Sequence, residues 1–481
     1  MKLDLAIGFA SHVIYLELLN KIYLTGIVLQ LMGVDYEQRK KSMTNNQHIS
    51  WISLHENHVN QLKTQYDHLF RKYSDLDCIV IHSCFSPKKN SLDDQYWPSA
   101  QTPMFTHWTP YKATPALIVL KGGEKPELYI EQHTSFWEGP APENDDWCKT
   151  CFKITEVKSL TDAPVRGRGF YIGDEALEFA NFKNAPELSE SILNELNQLR
   201  MVKSEYEVQC IKTATARAAP GHVALNKIFM DGTSVSEFDL LLEYLRATNQ
   251  TENSAPYGNI VALGTNAAIL HHVHYDRKKV ASDCSLLLDA GADCNGYASD
   301  ITRTWVRGSG RATQKFRAIV DALEKLQLKL VEAFECGKMY QDLHDHCHAE
   351  FAQFIIDFEL STASLDELVA SKVSRTFFPH GLGHSLGIQV HDVGTRLIAP
   401  RGENQYLRNT SRIVPGQIAT VEPGFYFIKT LLEQLRAEKI GDSMNWPLIQ
   451  ELSAFGGIRI EDNVLATEQG PVNLTRQCLN V

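Results

Sequence analysis

Apolar residues recur along this chain with two distinct periods, and the switches between them mark its elements. Residues 54–70, LHENHVNQLKTQYDHLF, repeat at helical spacing and predict an amphipathic helix. Residues 78–81, 116–120 and 127–130 are short apolar runs of the kind that form strands. These elements predict an α/β amino-terminal domain over 54–199. Residues 192–213 combine helical spacing with dense charge and predict a connecting helix, with the boundary to a second domain, 200–481, near Arg200. Beyond it, helices predicted over 237–248 and 316–334 alternate with strand segments, which suits two α/β halves around a curved antiparallel sheet.

Within the second domain, SLLLDAGADCNGYASDITRTWV is β-rich and carries Asn295-Gly296, a strong signal for a two-residue hairpin turn. With that pair at the tip, Cys294 faces Tyr297 and Gly291 faces Asp300. The period of two then places Asp289 on the face of Asp300, as its diagonal neighbour. A bulge in the hairpin would break this placement. Glu422 ends the apolar run 417–421 and precedes Pro423-Gly424, so it stands at a strand end where the chain turns. In GIRIEDN, alternation puts Arg459 and Glu461 on one face and Ile458 and Ile460 on the other. Arg459 reads either as a salt-bridge partner or as a planar fork for a substrate carboxylate.

The run FFPHGLGHSLGIQVHDVG, residues 377–394, holds His380, His384 and His391 among four glycines. Glycine lets backbone approach a ligand closely. With four carboxylates already suspect, one of these histidines is expected to bind metal and the others to serve the reaction. Asp289, Asp300, His384, Glu422 and Glu461 together describe a two-metal hydrolytic site.

LLLDAG, SDITRT, HGLGHSLG, VHDVG, VEPG and GIRIEDN, with further matches at SLDDQYW, APYGNIVAL and ILHHVHYDR, closely resemble the bacterial prolidases. These are Xaa-Pro dipeptidases of the pita-bread metallopeptidase class, a group that includes organophosphorus acid anhydrolases. The resemblance runs from about Leu54 to near Arg476. It implies that Asp289, Asp300, His384, Glu422 and Glu461 bind two divalent metals, usually manganese, with Asp300 and Glu461 bridging them. It also implies that His380, His391, Arg459, Tyr257, His271 and Asp94 line the substrate site, and that the protein is a homodimer.

The resulting expectation is hydrolysis of dipeptides ending in proline, with Glu422 moving the proton from water to the departing nitrogen. His380 and His391 stabilise the oxyanion and position the dipeptide, and Arg459, with His391, holds the free carboxylate. Asp94 is expected to meet the substrate α-ammonium from the amino-terminal domain of a neighbouring subunit. An aminopeptidase acting on longer peptides with proline second shares the five ligands and is the alternative. A creatinase-type enzyme or a non-catalytic binding module of this fold would be expected to have lost them. Phosphotriester hydrolysis is an expected side activity.

Composition agrees without adding to this. With 43% hydrophobic content over 481 residues the chain can bury large cores. A net charge of −11 leaves no electrostatic footprint for nucleic acid or an anionic membrane. Ten cysteines at irregular spacings suit reduced thiols in the cytoplasm, and Cys148-Lys-Thr-Cys151 is a lone CxxC without a second pair for zinc. Residues 1–53 depart from the family pattern. The stretch 12–34 is long enough to span a bilayer but is broken by Glu17, Asn20 and Lys21, so a membrane helix is disfavoured. The favoured reading is an upstream extension with the natural start near Met43, and a chain beginning there is expected to be soluble and fully active.

Overall fold

The computed structural model describes residues 36–83, 89–92, 95–97, 101–132, 146–173, 177–280 and 283–479, with backbone alone over 36–50, 146–148 and at Ser189. The stretch 12–34 and Asp94 lie outside the described residues. Compactness divides the chain into Met1–Asn57 and His58–Val481, so the two domains expected to meet near Arg200 fall within one unit. The first unit is helical from Tyr36 onward. Among the described residues no helix is long and apolar enough to cross a membrane.

The amino-terminal part of the second unit is built on a six-stranded mixed sheet. Its strands are β1 (Cys78–His82), β2 (Ala116–Leu120), β3 (Glu127–Glu131), β4 (Lys153–Val157), β5 (Arg166–Ile172) and β6 (Asn181–Asn184), in the order β4-β3-β2-β1-β5-β6. The centre of this sheet is covered on both sides, and period two sorts its side chains accordingly. Ile79, Ile81, Ile118 and Leu120 pack with Val59, Leu62, Tyr66 and Leu69 of the helix that ends at Lys72. Cys78, Val80, Leu117 and Val119 join Leu160, Val165 and Phe179 on the other face. Cys151 of the lone CxxC is one more buried core residue.

The expected connecting helix is two helices, Ser189–Leu199 and Glu205–Met230. The break comes from Ser204, whose hydroxyl and Glu207 form a capping box that starts a new helix where periodicity alone would have continued the old one.

Among the described residues, the rest of the unit carries only antiparallel pairings. Strand β7 (Ile260–Leu263) pairs with β8 (Cys284–Asp289), which pairs with β11 (Thr302–Arg307). Between them lies the hairpin tip, β9 (Asp293–Cys294) and β10 (Tyr297–Ala298). Then come β12 (Ile418–Val421) with β15 (Asp462–Thr467) and β16 (Gly470–Asn473), and β13 (Gly424–Tyr426) with β14 (Gly457–Arg459). The curved antiparallel sheet expected from the sequence is built from short antiparallel pieces, and the bridge Thr302↔Glu461 joins two of them. Helices Arg311–Glu332 and Tyr340–Asp357 supply Phe316, Leu323, Phe351 and Ile355 to the largest core, against Val421, Phe425, Ile458 and Ile460.

Candidate metal centre

The hairpin is the part of the site most directly dictated by sequence. Asn295 and Gly296 both take positive φ, at 55° and 87°, as a type I′ turn requires. Cys294 pairs with Tyr297 at the tip and Asp289 with Thr302 farther down. The two pairings share one offset, so no net bulge intervenes and Gly291 stands opposite Asp300. A Cβ at Gly291 would run into the Ser299 carbonyl oxygen, so this crossing admits no side chain. Asp289 and Asp300 therefore reach the same hydroxyl: Tyr257 Oη lies 2.9 Å from Asp289 Oδ1 and 2.5 Å from Asp300 Oδ1.

The remaining donors arrive from the glycine-rich loop, which carries His384, and from the ends of β12 and β14, which Glu422 and Glu461 follow. His384 Nδ1 donates to the Ser385 carbonyl at 3.0 Å, which turns Nε2 toward the carboxylates. Nε2 lies 3.4 Å from Asp300 Oδ2, 3.4 Å from Glu422 Oε1 and 4.0 Å from Glu461 Oε1. One donor atom each from Asp300, His384 and Glu461 lies within 4.8 Å of the others. Glu461 follows β14, with Ile458 and Ile460 in the core as alternation requires. Its Oε2 accepts from Thr302 Oγ1 at 2.6 Å, while its Oε1 is buried without a hydrogen-bond partner.

This cluster carries a charge problem. Burial, reinforced by neighbouring carboxylates, pushes Asp289 up to about 6, Glu422 up to about 7 and Glu461 well above the ordinary carboxylate range. Asp300 goes the other way: burial opposes ionisation, but the adjacent His384 outweighs it. A buried oxygen-rich set with one imidazole and an orphaned carboxylate oxygen fits hard divalent cations, which would supply the missing positive charge.

The structure distributes the other expected residues unevenly. His380 has both ring nitrogens engaged, Nδ1 with the Gly381 carbonyl at 2.8 Å and Nε2 with Tyr426 Oη at 2.9 Å. Burial holds it neutral, at about 3. His391 is exposed and its ring stands edge-on to His384 at 4.4 Å between centroids. His271 is exposed. Arg459 corrects the expectation of a free fork for a substrate carboxylate. It is buried and donates to Asp289 Oδ2 at 2.5 Å, Tyr426 Oη at 2.9 Å and Thr302 Oγ1 at 3.3 Å, so the salt-bridge reading holds, with Asp289 as its partner.

Two residues of this network escaped the sequence reading. Tyr426 links His380 to Arg459, and period two from Glu422 through Gly424 was the available signal. Thr302 had none beyond its place opposite Asp289.

Comparison with known proteins finds two family models that together span most of the chain. Residues 209–468 match the model of metallopeptidase family M24, and residues 53–196 that of the Xaa-Pro dipeptidase N-terminal domain. An Xaa-Pro dipeptidase of Shewanella baltica (strain OS223) is 38% identical over 421 residues, which are 84% of this chain and 93% of that protein. One from Pseudoalteromonas translucida (strain TAC 125) is 38% identical over 416 residues, 83% of this chain and 93% of the relative. Among solved structures, proline aminopeptidase P II from Yersinia pestis superposes with a TM-score of 0.65 at 20% identity, covering 89% of this chain and 97% of that one, a likeness of fold. This chain belongs to metallopeptidase family M24, as a prolidase-type enzyme with an amino-terminal domain ahead of the pita-bread catalytic domain.

Proposed function

We propose that the protein is a dinuclear-metal dipeptidase that cleaves Xaa-Pro dipeptides. The observation that carries this reading is the convergence of five donors, in a chain that matches Xaa-Pro dipeptidases along 93% of their length. Asp289, Asp300, His384, Glu422 and Glu461 would hold two divalent ions, with manganese the metal we favour. When bound, the ions supply Lewis acidity toward the scissile carbonyl and make water a nucleophile near neutral pH.

The chain's own residues handle the protons and the substrate. Glu422, the most exposed of the four carboxylates, faces the open side of the cluster, where it can take a proton from water. It then returns that proton to the proline nitrogen, which has no hydrogen of its own and leaves as an amine only once protonated. His391 donates to the oxyanion. His380, spent on Gly381 and Tyr426, forms a braced wall that positions the dipeptide. Arg459 orients Asp289. The substrate carboxylate then falls to His391 with His271, and the α-ammonium to Asp94. Cytoplasmic location and a homodimer complete this reading, supported by free thiols among the described residues and by the family resemblance.

The test compares Gly-Pro with Gly-Pro-Leu on metal-free enzyme given manganese. Glycine should be released far faster from the dipeptide. Preference for the tripeptide would make the protein an Xaa-Pro aminopeptidase instead. Asp94→Ala should raise KM for Gly-Pro more than it lowers kcat, with an N-acetylated dipeptide nearly indifferent to the substitution. Equal losses on both substrates would remove Asp94 from the site.

A further inference from the structure

The segment between helices Ser189–Leu199 and Glu205–Met230 holds a group of buried charges that the reaction does not use. Arg200 and Lys203 are both buried, and both donate to the buried carboxylate of Asp392, the residue after His391. Lys203 Nζ lies 2.7 Å from Asp392 Oδ2 and also donates to the Arg200 carbonyl. Arg200 bonds Asp392 Oδ1 and reaches Gln389 Oε1 at 3.1 Å. Burial opposes ionisation of Asp392, yet the two cations hold its carboxyl below the ordinary range.

The loop is shaped around this cluster. Asp392 N–H donates to the Ser385 carbonyl at 2.9 Å, closing the chain back to the residue after His384. A Cβ at Gly387 would collide with Asp392 Oδ2 and crowd Lys203 Nζ, so the glycine makes room for the ion pair. A Cβ at Gly394, whose φ is +91°, would strike the Asn197 carbonyl at the end of the first helix. The Lys203 backbone is fixed as well, its N–H donating to the Gly416 carbonyl at 2.8 Å.

The same cation looks in a second direction. Burial opposes ionisation of Glu207, but His107 first, then His58 and, least of the three, the Lys203 charge hold its carboxyl well below the ordinary range. Glu207 accepts from Tyr297 Oη at 3.2 Å, and Tyr297 stands at the tip of the hairpin that carries Asp289 and Asp300. Lys203 thus bonds the carboxylate that fastens the histidine loop and adds a weaker electrostatic pull on the one that meets the hairpin.

We propose that Lys203 is a positioning residue for the reaction: with Arg200 it fastens the loop 385–392 to the interdomain connector, and so fixes His391 over the site. The inference rests on the substrate role given to His391 above. A buried ion pair is weak as a source of net stability but costly to break on one side, which suits fixing one arrangement of a glycine-rich loop.

The test uses the full-length, manganese-loaded enzyme with Lys203→Met, which keeps the stem and removes the charge, and Lys203→Arg, which restores the charge. In Lys203→Met, hydrogen exchange in peptides spanning 385–394 should quicken at least tenfold, and kcat/KM for Gly-Pro should fall about five- to tenfold. Lys203→Arg should recover most of both. Unchanged exchange in that loop overturns the proposal, as does quickened exchange that spreads over the whole chain. Quickened loop exchange with kcat/KM unchanged leaves the fastening intact and overturns the role of His391 instead. If Lys203→Met yields no folded protein, Asp392→Asn decides by the same readings, because it removes the charge while keeping an oxygen for Lys203.

Discussion

Glu461 presents the clearest demand for a cation at the level of single atoms. One carboxylate oxygen is satisfied by Thr302, the other is buried without a hydrogen-bond partner, and the whole group is pushed toward its neutral form. Replacing it with glutamine keeps the shape and removes the charge that a hard cation binds. We expect Glu461→Gln to lose at least one equivalent of bound metal by elemental analysis and about a hundredfold or more in kcat with its fold intact by circular dichroism; the estimate follows from the few kcal/mol that charge stabilisation supplies. Full activity in a metal-analysed preparation would discard its place among the ligands. At this scale the carboxylate donors were legible because each stands at a strand end or hairpin position that pattern alone can place, and His384 because it lies in a run of histidines and glycines. What was not legible is which charges pair with one another. Arg459 reads identically whether its fork waits for a substrate or is spent on Asp289, because the partner lies 170 residues away in sequence.

The hairpin is the element on which the site depends most, and its tip shows why. Gly296 takes a φ of +87°, and a Cβ there would strike Thr106 Cγ2, so both the backbone and its surroundings exclude a side chain. Gly296→Val combines a β-branched residue in the left-handed region with a steric overlap. It should cost about 1–3 kcal/mol in urea unfolding. Because the tip sets the register, the same variant should also bind manganese more weakly in calorimetric titration. A variant with wild-type stability and metal affinity would show that the register is held from the strands, independently of the tip. The hairpin was legible because Asn-Gly fixes the turn and period two carries its consequences down both strands. The break at Arg200–Ser204 was not. Helical periodicity continues through it, and only the Ser204–Glu207 cap, a local competition between two hydrogen-bonding arrangements, starts a new helix.

Across the whole molecule, several histidines are buried as neutral imidazoles, and this sets how stability responds to acid. Burial holds His222 down to about 3 and His58 and His344 down to about 4, against an ordinary value near 6.5. Their folded-state pKa values are depressed, so between about 4 and 6.5 the unfolded chain binds more protons than the folded one. Stability from these groups is therefore complete above about pH 6.5 and is lost as pH falls toward the folded values, by up to about 1.4 kcal/mol per unit for each histidine. The metal-site carboxyls push the other way. Asp289, Glu422 and Glu461 have raised values, so in metal-free protein their protonation favours the folded state as pH falls. The two effects separate by difference. His222 donates from Nε2 to the Ala290 carbonyl at 3.0 Å, a bond that a glutamine amide can approximate without titrating. Urea unfolding of metal-free wild type and His222→Gln between pH 4.5 and 7 should give a stability gap that is nearly level above about pH 6.5 and below it shifts in favour of the variant as pH falls, by about 1 kcal/mol per unit. The carboxyl contribution is common to both proteins and cancels. A gap that stays constant across this range would mean that His222 takes up its proton in the folded state, and that its burial does not keep it neutral.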